Sequence, residues 1–216
     1  MATVIVPTEQ RVVLHDVSWE TYLHLLADNE ERTVPRISYD RGVMELVTPS
    51  MPHDEYARTI EAIVRIVTAL LNIPIRSSGG TTFRRDDLER GFEADASFYV
   101  QNEERIRGQR DVELMVDPPP DIVLEMEMSR SAMNKLPLFA SMGVPEVWRC
   151  DGERVHILVL EGESYRETPR SSAVPVLTGD ILTHFLTLSR TELSPAWFRA
   201  VSEWASAQQQ IPDSSG

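Results

Sequence analysis

The hydrophobic period of the chain switches between helical and strand-like spacing, and the switches delimit its elements. Ser18 followed by Trp19, Tyr22, Leu23, Leu25 and Leu26 has the pattern of a capped amphipathic helix ending before Asn29-Glu30-Glu31. Residues 34–39 and 43–47 flank Asp40-Arg41-Gly42, a β-hairpin signal. The clearest helix opens after Ser50 and Pro52. It carries Asp54 and Glu55 in the first turn, where the helix dipole favours acids, and Tyr56, Ile60, Ile63, Val64, Val67, Leu70 and Leu71 along one face. Such a stripe predicts a helix lying against a sheet.

Short strands are expected at residues 73–77, 81–84, 96–100 and 122–128, punctuated by Gly79-Gly80 and by Arg84-Arg85-Asp86-Asp87. Residues 101–120, ending in Asp117-Pro118-Pro119-Pro120, read as a long polar excursion. A short helix is expected at 136–142, with Pro137 in its first turn and Gly143 just past its end. Strands at 146–150 and 155–160 flank Asp151-Gly152-Glu153, a second hairpin signal, with a weaker strand near Tyr165. Ser189-Arg190-Thr191-Glu192 has capping-box spacing and predicts a helix carrying Trp197, Phe198, Val201 and Trp204, although Pro195 restricts its start. The order of elements predicts one α/β or α+β domain over residues 15–205 with a mixed sheet, an N-terminal extension at 1–14 and a disordered tail at 206–216.

Composition narrows the class. A chain of 216 residues with 42% hydrophobic and 25% charged residues can bury one full core. The net charge of −13 argues against a tight, salt-dependent grip on phosphates, although clustered carboxylates that bind cations would offset it locally. The single Cys150 excludes an intramolecular disulfide and any multi-cysteine zinc site. Its place at the end of an alternating strand favours packing over nucleophilic use. No run approaches the roughly 20 apolar residues of a spanning helix, and the N-terminus lacks a secretory pattern, so a cytoplasmic location is expected.

Acids that interrupt apolar strands are costly to bury unless they are paired or bind metal. Asp95 follows Glu93-Ala94, and Asp121-Ile122-Val123-Leu124-Glu125-Met126-Glu127 follows before Lys135. Period-2 alternation turns Glu125 and Glu127 to one face and Leu124, Met126 and Met128 to the other. Mg²⁺ needs only one or two protein carboxylates beside substrate phosphate, so Asp95, Glu125 and Glu127 are candidate ligands of Mg²⁺ or Mn²⁺. Lys135 is the candidate group for orienting water or stabilising charge on phosphate oxygens.

Glu45 and Glu55 could join as further metal ligands, and His53 as an accessory group. Each candidate has a plainer reading. An alternating strand with one wet face also yields Glu-x-Glu; Asp95 could be a turn residue and Lys135 a solvated lysine. Glu55 could serve only the helix dipole, Glu45 could face solvent, and His53 could be a capping or surface histidine. Asp121, after three prolines, reads as a turn acid. Arg84, Arg85, Arg90, Arg105, Arg107 and Arg110 could rim a phosphodiester site or form an ordinary solvated loop. No serine-hydrolase elbow, P-loop, dinucleotide fingerprint or His-Glu-x-x-His motif is present.

Taken together, Gly91-Phe92-Glu93-Ala94-Asp95, Pro119-Pro120-Asp121-Ile122-Val123-Leu124-Glu125-Met126-Glu127, Asn134-Lys135-Leu136-Pro137 and Gly143-Val144-Pro145-Glu146-Val147-Trp148-Arg149 closely resemble the Uma-type restriction endonucleases, a bacterial group within the PD-(D/E)XK nuclease superfamily. With Glu45-Leu46-Val47-Thr48-Pro49-Ser50 and His53, the resemblance covers roughly residues 15–190. It implies a restriction-endonuclease-like fold, a central mixed β-sheet flanked by helices, and Mg²⁺-dependent hydrolysis of DNA phosphodiesters. By position, Asp95 matches the superfamily's metal-binding aspartate and Glu125 the first acid of its second motif. Glu127 stands where lysine is usual, and Lys135 would be a migrated lysine.

The expectation is therefore an endonuclease with DNA as partner and possible homodimerisation, since cutting both strands commonly needs two sites. Two rivals remain. One is a nuclease-fold scaffold without catalysis that binds DNA or protein, favoured by the acidic charge. The other is a metal-dependent hydrolase of RNA or nucleotides.

Overall fold

The structure, a computed structural model, describes residues 9–29, 34–128 and 133–209. Two sheets organise it. The first is wholly antiparallel. Its strands are β1 (Gln10–Leu14), β2 (Arg36–Asp40), β3 (Val43–Thr48), β5 (Thr82–Arg85) and β6 (Arg90–Glu93), in the order β1-β3-β2-β6-β5. The second has the order β11-β10-β9-β8-β7-β4. It contains β4 (Arg76–Ser77), β7 (Ala96–Tyr99), β8 (Ile122–Met126), β9 (Glu146–Cys150), β10 (Val155–Glu161) and β11 (Ser164–Thr168). Among the described residues only β8 and β9 pair in parallel, and α4 (Leu136–Ser141) lies between them in sequence, as a parallel connection requires.

The helices form where the sequence supplies caps and stripes. α1 (Trp19–Asp28) starts at Ser18, whose hydroxyl accepts from the Thr21 amide at 3.1 Å. α2 (Met51–Leu70) starts at Ser50 with Pro52 in its first turn. Its stripe of Ile60, Ile63, Val64 and Val67 is fully buried against Ile122, Leu124 and Met126, and each such side chain contributes at most about 1.5–3 kcal/mol. α5 (Gly179–Leu188) and α6 (Ser194–Gln208) complete this layer. On the opposite face, Val123 and Val147 pack with Leu138 and Phe139 of α4 and with Phe83 and Phe92 of the first sheet. Helices thus cover a mixed sheet on both sides, and β8 is the shared wall.

The β2–β3 hairpin turns through Arg41 (φ 44°) and Gly42 (φ 95°), the two positive-φ positions that a two-residue turn of the right twist needs.

Several elements differ from the sequence expectation. Residues 10–14, assigned there to an extension, pair with β3 along all five positions. β6 forms where no strand is expected, because Phe92 is buried against Phe83 and Phe139. The polar excursion contains a one-turn helix, α3 (Glu103–Ile106), anchored by buried Ile106. Ser189 does not open α6. Its hydroxyl donates to the Leu186 carbonyl at 2.7 Å and closes α5, while α6 begins at Ser194 beside Pro195. Helix continues through residue 208, and the expected tail beyond residue 209 lies outside the described residues.

Candidate active site

Asp95 sits in the two-residue step between β6 and β7. The register Phe98↔Ile122, Ser97↔Val123, Ala96↔Leu124 continues to set Asp95 opposite Glu125, and Asp95 N–H still donates to Leu124 O at 3.2 Å. Directly opposed residues of an antiparallel pair share a face, so the two carboxylates belong to one side of the sheet. Glu125 follows Val123 on that side, while Leu124 and Met126 turn to α2. The alternation expected along this strand holds, with Met128 packed on the same side as Leu124 and Met126.

Both acids are nearly dry, so their charges are paired. Asp95 Oδ2 accepts from the Met126 amide at 2.6 Å, and Oδ1 meets Arg36 and His53 Nε2, the latter at 2.8 Å. Lys135 Nζ lies 2.5 Å from Glu125 Oε1 and 3.5 Å from Glu45 Oε2. The Lys135 side chain is only 9% exposed, so it is no solvated surface lysine.

Two more groups close the site, Glu9 just before β1 and Arg11 on it. His53 Nδ1 lies 2.5 Å from Glu9 Oε2, and the Arg11 guanidinium contacts Glu9 Oε1 at 2.5 Å and Glu45 Oε2 at 3.1 Å. Burial opposes the charge on Arg11, but Glu45 and then Glu9 outweigh it and raise its pKa above the ordinary arginine value. Glu93 lies alongside. Its carboxylate accepts from Ile37 N at 2.9 Å and Thr82 Oγ1 at 2.8 Å, yet burial still raises its pKa above the usual glutamate value.

The candidate residues therefore divide. Asp95, Glu125, Lys135, Glu45 and His53 belong to one connected set of ion pairs. Here Glu45 faces that set rather than solvent, and His53, 1% exposed, is an interior residue. Glu127 departs from it. Alternation continues past the end of β8, since Met128 packs with Leu124 and Met126 and Glu127 N–H donates to Cys150 O at 2.7 Å, but the Glu127 carboxylate is taken by Arg149, the β9 neighbour of Glu125. That pair borders a small cavity of about 290 Å³ with His156 and Glu167. Glu55 also lies elsewhere. It is exposed on the outer face of α2, where Met51, Arg58, Trp197 and Phe198 line a larger groove of about 630 Å³. Helical geometry explains this, because His53 and Glu55 are two positions apart and cannot share a face.

Asp121 is a turn acid. It accepts from Val100 N at 2.7 Å, Asn102 N at 3.0 Å and Asn102 Nδ2 at 2.7 Å. Cys150 is buried, which pushes its thiol up to about 11 and leaves it a packing residue. In the arginine group, Arg84, Arg85, Arg90 and Arg107 are paired with Asp86, Asp87, Asp40 and Glu103. Four of the six therefore have their charge offset by a neighbouring acid.

Sequence reasoning passed over Glu9, Arg11 and Arg36. The signal for the first two was the alternation of Glu9, Arg11 and Val13 with Gln10, Val12 and Leu14. Arg36 carried no signal beyond its place at the start of a strand.

Among the described residues no group of three or more His, Cys, Asp or Glu side chains converges as a metal cage. Two carboxylates, Asp95 and Glu125, face one region. That is an oxygen-only donor set of the size Mg²⁺ uses when waters and substrate phosphate complete its shell. The residues fit such an ion in kind and number.

A family model described as "Uma2: Putative restriction endonuclease" matches residues 19–191, and the chain belongs to that nuclease family. Among solved structures the fold is similar to a "putative nuclease belonging to DUF820 from Anabaena variabilis ATCC 29413". The TM-score is 0.51 at 13% identity, over 79% of this chain and 99% of that one. The likeness establishes a nuclease-type fold. No curated protein matches the chain. Among the described residues no helix is long and apolar enough to cross a membrane.

Proposed function

We infer that this protein is a Mg²⁺-dependent endonuclease that hydrolyses DNA phosphodiester bonds, with Asp95 and Glu125 as the carboxylates that hold the ion. The observation that carries this reading is the opposition of Asp95, just before β7, and Glu125 on β8, with Lys135 against Glu125. When bound, the ion would supply Lewis-acid stabilisation of the scissile phosphate and a lowered pKa for attacking water. The chain's own groups do the rest. Lys135 is a fixed cation beside the carboxylates, able to donate to a phosphate oxygen as charge develops on it. Arg36 and the Met126 amide hold Asp95 in one rotamer, so it needs no reordering when substrate arrives.

The test is cleavage of supercoiled plasmid and of a DNA duplex by the full chain, with Mg²⁺ or Mn²⁺ and with EDTA. Asp95→Asn and Glu125→Gln run in parallel. Loss of cleavage in EDTA and in both variants is expected; EDTA-resistant cleavage, or wild-type rates in Asp95→Asn, would overturn the assignment. A panel with RNA and nucleotides separates the DNA reading from other phosphodiester hydrolases.

A second reading, a nuclease fold without catalysis, draws on a different observation. The chain's own cations already neutralise Asp95 and Glu125, and Glu127 is committed to Arg149. Absence of saturable Mn²⁺ binding that depends on Asp95 would favour it.

A further inference from the structure

Both halves of the candidate site lead back to β1 and the residue just before it. From Asp95 the chain of contacts runs through His53, whose Nε2 faces Asp95 at 2.8 Å and whose Nδ1 faces Glu9 at 2.5 Å. From Glu125 it runs through Lys135 to Glu45 at 3.5 Å and on to Arg11 at 3.1 Å. Glu9 and Arg11 are themselves joined at 2.5 Å. Glu9 and His53 are both 2% exposed at the side chain, so these contacts are shielded from solvent and from salt. The pairing Arg11↔Val47, Val13↔Glu45 fixes the arrangement. It turns Glu9, Arg11 and Val13 to the face of the first sheet that also carries Glu45 and Arg36.

We propose that Glu9, just before β1, and Arg11 on β1 are positioning residues for the active site, Glu9 acting on Asp95 through His53 and Arg11 acting on Lys135 through Glu45. This rests on the reading of Asp95, Glu125 and Lys135 as the metal and phosphate groups. An imidazole between two carboxylates is held by the hydrogen bond at its far nitrogen, and that bond fixes the ring orientation that Asp95 meets. Arg11 does the same by charge. It holds Glu45 in place, so Lys135 stands between two carboxylates and is not drawn wholly onto Glu125. His53 and Glu45 are then intermediaries in the site rather than metal ligands. β1, at the outer edge of its sheet, becomes an obligatory part of the catalytic unit.

The experiment measures Mn²⁺ affinity by calorimetry or electron paramagnetic resonance on the metal-free full chain, together with kcat and KM on a DNA duplex and the thermal midpoint. Glu9→Ala, Glu9→Gln, Arg11→Met and Arg11→Lys are compared with Asp95→Asn. Glu9→Ala is expected to weaken Mn²⁺ binding and lower kcat about 10-fold or more, the usual size of an outer-shell loss, with KM little changed. Glu9→Gln, which still accepts from Nδ1, should recover most of both. Arg11→Met should lower kcat while leaving Mn²⁺ affinity near wild type, because its path ends on Lys135, and Arg11→Lys should restore part of the loss.

If Asp95→Asn abolishes Mn²⁺ binding while Glu9→Ala and Arg11→Met leave affinity and kcat intact, the positioning role is wrong and the site assignment stands. A lowered midpoint with wild-type affinity and kcat in Glu9→Ala also overturns it, since that marks a purely structural residue. If Asp95→Asn itself binds Mn²⁺ like the wild type, the parent assignment is what fails. Should Glu9→Ala not fold, Glu9→Gln against His53→Gln decides. The proposal requires His53→Gln to lose Mn²⁺ affinity and Glu9→Gln to keep it.

Discussion

Lys135 Nζ lies 2.5 Å from Glu125 Oε1 and is almost wholly removed from solvent. A charge pair in that setting is defined more by what happens when one partner goes than by what the pair adds. Lys135→Met keeps the apolar stem and removes the ammonium, leaving Glu125 buried without its cation. Stability should fall by about 3 kcal/mol or more. Denaturant unfolding would show this as a lowered midpoint with an unchanged slope, and DNA cleavage should be lost. Lys135→Arg should regain stability without regaining full activity, because a planar guanidinium does not occupy the space of a compact ammonium. An unchanged midpoint in Lys135→Met would mean that the pair is not closed in solution.

Glu127 should behave quite differently. Its carboxylate is 30% exposed and its partner Arg149 37%, so their pairing is worth at most about 1 kcal/mol after solvent screening. Glu127→Ala is therefore expected to keep Mn²⁺ affinity and cleavage and to lose little stability. A clear drop in Mn²⁺ affinity would return Glu127 to the proposed metal site that its sequence position suggests.

The contrast between Glu125 and Glu127 shows how far strand periodicity can be read. Alternation placed Leu124 and Met126 against α2 and Glu125 on the other face, because a fully buried strand enforces its period at every residue. The period carries on to Met128, so it gives the face of Glu127 correctly, but not its partner: the neighbouring Arg149 claims the carboxylate. The long stripe of α2 and the β9–β10 hairpin were equally legible, since caps, period and turn residues agree there. Gly91 and the charges of β6 concealed a strand whose burial rests on one side chain, Phe92. Glu9 and Arg11 escaped notice for another reason: a buried ion-pair network is assembled from segments distant in sequence, and its members look like ordinary surface charges until the strands are laid side by side. α5 was missed although Leu182, Phe185 and Leu186 have helical spacing, because Ser189-x-x-Glu192 imitates a start signal where one helix in fact ends.

Glu93 supplies a pH prediction of unusual sign for a carboxylate. Burial raises its folded pKa above the unfolded value of about 4.5, so the folded state holds the proton more tightly than the unfolded state does. The unfolded chain then binds fewer protons in the window just above pH 4.5, and stability falls as pH rises through it. Glu93→Gln removes that cost. Its carbonyl can accept from Ile37 and its amide can donate to Thr82 Oγ1. Unfolding in urea at pH 5 and pH 8 should show a flatter pH dependence for the variant than for the wild type. A wild-type slope retained in Glu93→Gln would assign the effect to other groups.

Asp121 separates structural acids from chemical ones. Its two oxygens satisfy the amides of Val100 and Asn102 and the Asn102 side chain, and these bonds tie the end of β7 to the start of β8. Asp121→Ala leaves buried donors without an acceptor, at a cost of about 1–3 kcal/mol for each group that water cannot reach. Asp121→Asn keeps acceptor capacity on one oxygen only and should fall between the wild type and alanine. Because Asp121 stands at the far end of β8 from Glu125, the register of β7 against β8 should survive in the asparagine variant. Its Mn²⁺ affinity should then match the wild type even though its unfolding midpoint drops. Loss of affinity in Asp121→Asn at temperatures well below that midpoint would show that the residue contributes to the metal site directly.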